Sequence, residues 1–581
     1  MPLIRFADYR ADVSDYLSTS SRNVLNVVPQ GDGYGPFPAF ASYTQALPAA
    51  CRGAFYALKS DGSVITFAGT STKLYQLDNS SYSWTDVSSS ADGYSALSAT
   101  ANWQFAQCGN LVFATQANAV LQVFDLSSDT AFSDALGSPP QAAYISVVGP
   151  FLVLSGLLSQ PYRIQWSGLN TFNSSTAWTS GDAFSDFQDF PDGGIVRGIA
   201  GGTQAGIIFQ DQVLRQMAYV PGSPIVFQID KVTDGLGIFA PYSIVKAGGL
   251  IFFFANQGFY KIAPGLAPEP IGRERVDRTF LANLDRGNLQ LFTGAADPRA
   301  TRIYWAYKSS AGDTGAYDKL LGYDYLLDRF FPVQASGQSL LGVSQSGITL
   351  EQLDAIAPTP LTITGAADNG SGNVRLTLSA ESNSDFDISG QNTIEVYGVT
   401  GTTEANGNFQ LESGTGDPDA GKFTIVDTTT IDLGVAFTNE YVSGGQIGGS
   451  VDAMVLSFDD YATAVQPQIG QFDTSGKLGF FSGSALEATI ETGEQGTDWQ
   501  RLDISGFKPI TDASTVQGSI FYRDTQQASP VQSAETGLSR LGRCDIRRDA
   551  RYARFQVRIP AGTTWTNAVG IVPDLAPGAE H

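Results

Sequence analysis

A hairpin-like pattern that returns every 40 to 56 residues is what most restricts the fold of this chain. A β-branched or aromatic run is followed by a turn and then by a second run rich in Tyr, Leu or Val. The first runs begin at Val64, Leu111, Phe151, Ile207, Ile251 and Arg302, with spacings of 47, 40, 56, 44 and 51 residues. Hairpins recurring at this period are a signature of β-propeller blades, small antiparallel sheets that bury their faces against one another. The alternative is a series of unrelated hairpins in two sandwiches. No W-D, kelch or Asp-box consensus accompanies the repeat.

Two departures from the rhythm divide the chain. Between Pro358-Thr359-Pro360 and the glycine pairs Gly444-Gly445 and Gly448-Gly449 lie alternating segments such as VRLTLSA, TIEVYGV and KFTIVDTTTIDL. This stretch carries two basic residues, Arg375 and Lys422, against twelve acidic ones, a net charge of −10. It reads as a small β-domain inserted into a surface loop, where extra length costs little closure entropy. Asn406-Gly407 within it signals a type I′ hairpin. The propeller-like pattern resumes briefly at VDAMVLSFDDYA, and long alternating strands from KLGFFSGSALEATIET onward fit a β-sandwich. The expected architecture is all-β: a 1–50 N-terminal arm, a 51–357 β-propeller, a 358–450 inserted acidic domain, a 451–469 return to the propeller and a 470–581 C-terminal sandwich. The best helical segment is Glu274 to Asn288.

The chemistry available is narrow. Of 581 residues the single histidine is His581, so no triad, Cys–His pair or imidazole metal cage can be assembled around a well-placed ring. Cys51, Cys108 and Cys544 form no CxxC pair, which argues against a thiolate metal or redox site and suits a reducing cytosol. The expectation is a protein with no catalytic residues, cofactor or metal. Aspartates at Asp385 and Asp387, and at Asp417 and Asp419, lack the spacing of a calcium loop. No apolar run is long enough to span a bilayer, and the first residues lack the apolar segment of a secretory signal. The net charge is −23, with 34 basic and 57 acidic residues. A protein that holds nucleic acid needs a cationic face, so this surface repels phosphate overall.

Three stretches carry a resemblance to a known family: ADVSDYLSTSSRNVLNVVPQ near the start, the block from Asp234 to Phe280, and RYARFQVRIPAGTTWTNAVGIVP near the end. Together they resemble the tail nozzle family of short-tailed bacteriophages, also called tail hub or packaged-DNA stabilisation proteins. The insert is similar to small β-modules of phage tails through its Glu404–Gly407 turn and its Phe437–Tyr441 segment. The resemblance implies a virion protein assembled in the host cytoplasm, forming a hexameric homo-oligomer below the portal adaptor. Tail fibre, spike or needle proteins would be further partners. Genomic DNA would pass through the ring without tight binding, and six copies at −23 each would carry −138. Rival readings are a receptor-binding adhesin, or a polysaccharide depolymerase built on a carboxylate pair.

The most conspicuous basic cluster comprises Arg543, Arg547, Arg548, Arg551, Arg554 and Arg558, with Arg540 just before it. It reads either as a docking surface for acidic neighbours or as strand-surface charge balanced by Asp545 and Asp549. On a strand, Arg554 and Arg558 would share a face opposite Arg551. The smaller patch Gly272–Arg278 reads as one side of an amphipathic helix with Val276 and Phe280 inward.

Overall fold

The computed structural model describes residues 3–16, 18–79, 81–223, 225–344, 360–382, 387–390, 393–412, 421–448 and 467–580. Seven four-stranded antiparallel sheets follow one another. The first six run in chain order: Ala54–Leu58 to Trp84–Asp86, Gln104–Cys108 to Ser133–Asp134, and Ala142–Val148 to Asp186–Asp189. Then come Val196–Ala200 to Phe227–Asp234, Val245–Ala247 to Glu269–Pro270, and Thr293–Ala296 to Arg329–Val333. These are blades 1 to 6 of a seven-bladed β-propeller. The six sequence repeats coincide with the second and third strands of these six blades.

Blade 7 is composite. It takes Ser339–Ser344 as its first strand, Pro467–Phe472 and Lys477–Ala485 as the next two, and Pro38–Ala46 from near the chain start as its outer strand. Phe480 pairs with Ala41 and Phe481 with Phe40. Chain-distant segments thereby share one sheet, which closes the ring and leaves no open blade face.

The blades cohere because their central strands are apolar on both sides. In Leu250–Ala255 of blade 5, Ile251 and Phe253 pack with Ile207 and Phe209 of blade 4. Phe252 and Phe254 pack with Ile303 and Trp305 of blade 6. In that next blade Tyr304 and Ala306 turn instead toward Leu340 of blade 7. Side chains alternate across a strand, so a strand sandwiched between two neighbours must be apolar at every position. That is why these segments read LVFAT, FLVL and IFFF rather than alternating with polar residues.

A two-sheet β-sandwich belongs to the same compact unit, which comprises Met1–Gln345 and Gln466–His581. Its six-stranded sheet joins Ile4–Arg5, Val27–Gln30 and Gly33–Pro36 to Ala568–Glu580, Gln500–Thr511 and Cys544–Ala550. The seven-stranded sheet includes Val24–Leu25, Ala488–Glu491, Tyr552–Ile559 and Gln517–Arg523. Phe507 and Phe555 meet edge-to-face at 5.4 Å between them.

The N-terminal segment is therefore distributed over both sandwich sheets and blade 7, rather than forming a separate arm. The strand KLGFFSGSA, read from sequence as sandwich, lies in blade 7, and the sandwich strands of the C-terminal part start at Ala488. The early residues also fasten sandwich to propeller. The Asp8 carboxylate meets Arg329 of blade 6 at 2.6 Å. Asp12 accepts hydrogen bonds from the Arg278 and Thr279 backbone amides, each 2.8 Å, at the start of helix α1, Asp277–Asn283.

The second unit spans Ser346–Val465 and contains a closed barrel of seven strands between Leu361 and Gly448. Its entering strand pairs with its last, Leu361 opposite Ile447, so the chain enters and leaves side by side. This is the geometry that a loop insertion requires. The Asn406-Gly407 hairpin does not form. Asn406 is extended, with φ −73° and ψ 126°, and follows a 3-10 turn at Thr403–Ala405. Its side-chain amide instead bridges both backbone groups of Val399, at 2.9 and 3.0 Å. VDAMVLSFDDYA, Asp385 and the Asp417–Asp419 turn lie outside the described residues. Among the described residues no helix is long and apolar enough to cross a membrane.

Candidate functional site

The arginine cluster is split by the sandwich. Arg547 and Arg548 lie on Cys544–Ala550, an edge strand of the six-stranded sheet, and Arg554 and Arg558 on Tyr552–Ile559 in the other sheet. Arg551 occupies the bend that carries the chain between them, and not a strand position. Three members are committed within the molecule. Arg543 pairs with Asp545 at 2.6 Å and Asp574 at 2.7 Å. Arg554, only 15% exposed, lies 3.5 Å from Asp15 and 3.7 Å from Glu491. Arg558 reaches Glu487 at 2.8 Å and also Glu535 and Gln517.

Arg547 and Arg548 remain exposed, and Arg548 sits over the Tyr522 ring at 5.6 Å. Charged side chains on a sheet edge block edge-to-edge pairing and leave a cationic strip open to an acidic neighbour. The six residues are thus three internal braces, one bend residue and two exposed edge cations. The second basic patch is structural: Arg275 forks onto Asp328 at 2.7 and 2.8 Å, while Val276 and Phe280 are buried.

The other feature with site geometry is the propeller axis. The first strand of every blade lines a channel of about 640 Å³, with Ala54, Gln104, Ser146, Gly198, Lys246 and Gly342 among its walls. Small residues let seven strands converge there; a Cβ on Gly198 or Gly294 would meet a neighbouring side chain at 2.8 or 2.3 Å. The charged side chain of the channel lining is Lys246, which donates to Gly201 O at 3.0 Å. Burial lowers its pKa. A space of about 640 Å³ in all is too small to hold a stretch of duplex.

At one end the channel meets a second cavity of about 520 Å³, with Tyr144, Pro241 and Tyr242 common to both. It is lined by residues of successive blades, including Arg197, Asp211, Asn256 and Arg286. Linear reading missed this group because each blade contributes one or two residues, separated by dozens of positions. Among the described residues no cluster of three or more His, Cys, Asp or Glu side chains is placed to hold a metal ion. The cysteines are buried and free, with Cys51 and Cys108 pushed up to about 12 and Cys544 to about 11 by burial.

No protein-family model matches the chain, and no curated protein matches it. Among solved structures it is similar to the WD40 repeats of RRP9, at 6% identity and a TM-score of 0.33, covering 58% of this chain and 92% of that one. It is similar to a chain of a Mitotic Checkpoint Complex at 10% identity and a TM-score of 0.30, covering 56% and 84%. A functionally unknown protein from Desulfotomaculum acetoxidans is similar at 11% identity and a TM-score of 0.28, covering 48% and 84%. Likenesses this distant carry no functional argument, and the propeller rests on the order of its own sheets.

Proposed function

We propose that this protein is a structural virion component, a tail nozzle or hub of a short-tailed phage, whose copies close a ring around the path of the genome. One observation carries the reading. At least 18 of the 34 basic side chains are held in ion pairs within the molecule, while acidic residues outnumber basic ones by 23. At most sixteen guanidinium and ammonium groups are left to grip phosphate, and the surplus carboxylates repel it.

Because the propeller axis is narrow, the passage for DNA lies between copies and not through one. The partners on this reading are further copies of the chain, the portal adaptor and a fibre, spike or needle protein. The exposed pair Arg547 and Arg548 is offered to acidic surfaces among them. Fluorescence anisotropy with a labelled duplex tests the electrostatic premise. At about 50 mM salt, where cationic proteins bind duplex most tightly, no saturable binding is expected. Salt-sensitive binding to the duplex overturns the reading.

A further inference from the structure

The charge balance inverts at the axis of the propeller. Over the whole chain carboxylates exceed cations, 57 to 34. Around the channel and its end cavity the charged side chains are Lys246, Arg197 and Arg286 against the single carboxylate Asp211. That carboxylate is already engaged. One oxygen accepts from Arg197 Nε at 2.8 Å and the other from the Ile195 amide at 2.9 Å.

Arg286 has no carboxylate partner among the described residues; its guanidinium lies 6.0 Å from the centre of the Phe239 ring. Neighbouring Asp285 does not neutralise it, because Asp285 pairs with Lys308 at 2.8 Å and with Asn288 at 2.9 Å. Thr100 and Tyr144 also line the cavity, and neither hydroxyl has a hydrogen-bond partner among the described residues. The cavity is thus supplied with free donors and a net positive charge in a protein that is elsewhere strongly negative.

The rest of the wall combines the apolar side chains Ile238, Phe239, Pro241 and Leu289 with Gln212, Tyr242 and Asn256. At about 520 Å³ it falls in the size range of small-molecule sites, roughly 300–1,000 Å³, and exceeds what one inorganic ion fills. We infer that this cavity binds a small organic anion, with its carboxylate or phosphate on Arg286 and Tyr144 and its apolar body against Phe239 and Leu289. A guanidinium is suited to such a head group, since its planar donors match carboxylate and phosphate oxygens. The inference is independent of the nozzle reading and stands or falls without it.

Titration calorimetry on the full-length protein tests it, with phenyl phosphate, benzoate, inorganic phosphate and benzylamine as probes. Saturable binding of phenyl phosphate or benzoate is expected, with benzylamine silent and inorganic phosphate clearly weaker. Arg286→Gln should weaken the aromatic anion about tenfold or more, the loss expected for one charge-assisted hydrogen bond. Tyr144→Phe should weaken it less, and Lys508→Gln, the same charge change in the sandwich, should leave it unaltered. Arg286 is exposed, so its replacement is expected to fold with an unchanged melting temperature. No saturable binding of either aromatic anion by about 10 mM overturns the inference. So does equal binding by Arg286→Gln, or inorganic phosphate binding as well as phenyl phosphate.

Discussion

Replacing Asp277 with Asn should remove a pH dependence from the contact between blade 5 and helix α1. The Asp277 carboxyl is wedged between Gly258 and Gly272, where an added Cβ would lie 2.1 and 2.0 Å from its oxygens. It is 8% exposed and accepts the Phe259 amide at 3.1 Å. Burial is the main cause that raises its pKa from 3.8 to about 6; the Phe259 amide opposes the shift and the nearby Asp12 carboxylate adds to it. A carboxyl raised in the folded state favours the fold while protonated. Its contribution is fully present below pH 3.8 and is lost as pH rises through about 6. Two units correspond to a ceiling of about 3 kcal/mol. Asn keeps the acceptor for Phe259 and cannot ionise. Hydrogen exchange of the peptide spanning 250–262, corrected for intrinsic rates, reports the local opening free energy. In the native protein that energy should fall between pH 4 and pH 8, and in Asp277→Asn it should stay level. Parallel pH profiles in the two proteins would show that the buried carboxyl bears no ionisation penalty.

Arg523→Met should destabilise the sandwich by about 3–5 kcal/mol, because Glu494, 4% exposed, would lose a bidentate partner at 2.7 and 2.9 Å and stay buried with its charge; denaturant melts of Arg523→Met and of the double variant with Glu494→Gln check this, the double variant being the milder. Deleting residues 361–448 and bridging the gap with a short Gly-Ser linker should leave the propeller and sandwich folded, as circular dichroism and an unchanged number of copies per oligomer would show, since the barrel's first and last strands are paired neighbours. The three thiols should resist a thiol reagent at pH 8 in the native protein and all react on unfolding, because each is buried and its pKa lies near 11 or 12.

The propeller was legible because a strand buried on both faces must be apolar throughout, and six blades repeat that run at similar spacing. The seventh was hidden for a physical reason. Its first and second strands are separated by the inserted domain, and its outer strand, Pro38–Ala46, comes from the opposite end of the chain. No local period records a pairing between Phe481 and Phe40. The boundary near residue 470 failed similarly, since Lys477–Ala485 alternates like a sandwich strand although it serves a blade. In the insert the Asn406-Gly407 dipeptide misled, because Asn406 uses its amide to hold Val399 instead of turning the chain.

The arginine cluster was visible as composition but not as pairing. Arg554 meets Asp15 across more than five hundred residues, and only the fold reveals that this cation is spent. Arg547 and Arg548 keep their charge because an edge strand has no neighbour to neutralise it. The cavity around Arg286 could not be read at all, as its walls are assembled from successive blades.

Electron microscopy of the purified protein tests the central claim most directly. The account predicts closed rings, about 370 kDa for six copies of 61.7 kDa, with an opening between subunits wide enough for a duplex and much wider than the bore of any single propeller. Separate monomers at every concentration, or compact assemblies with no central passage, would contradict it.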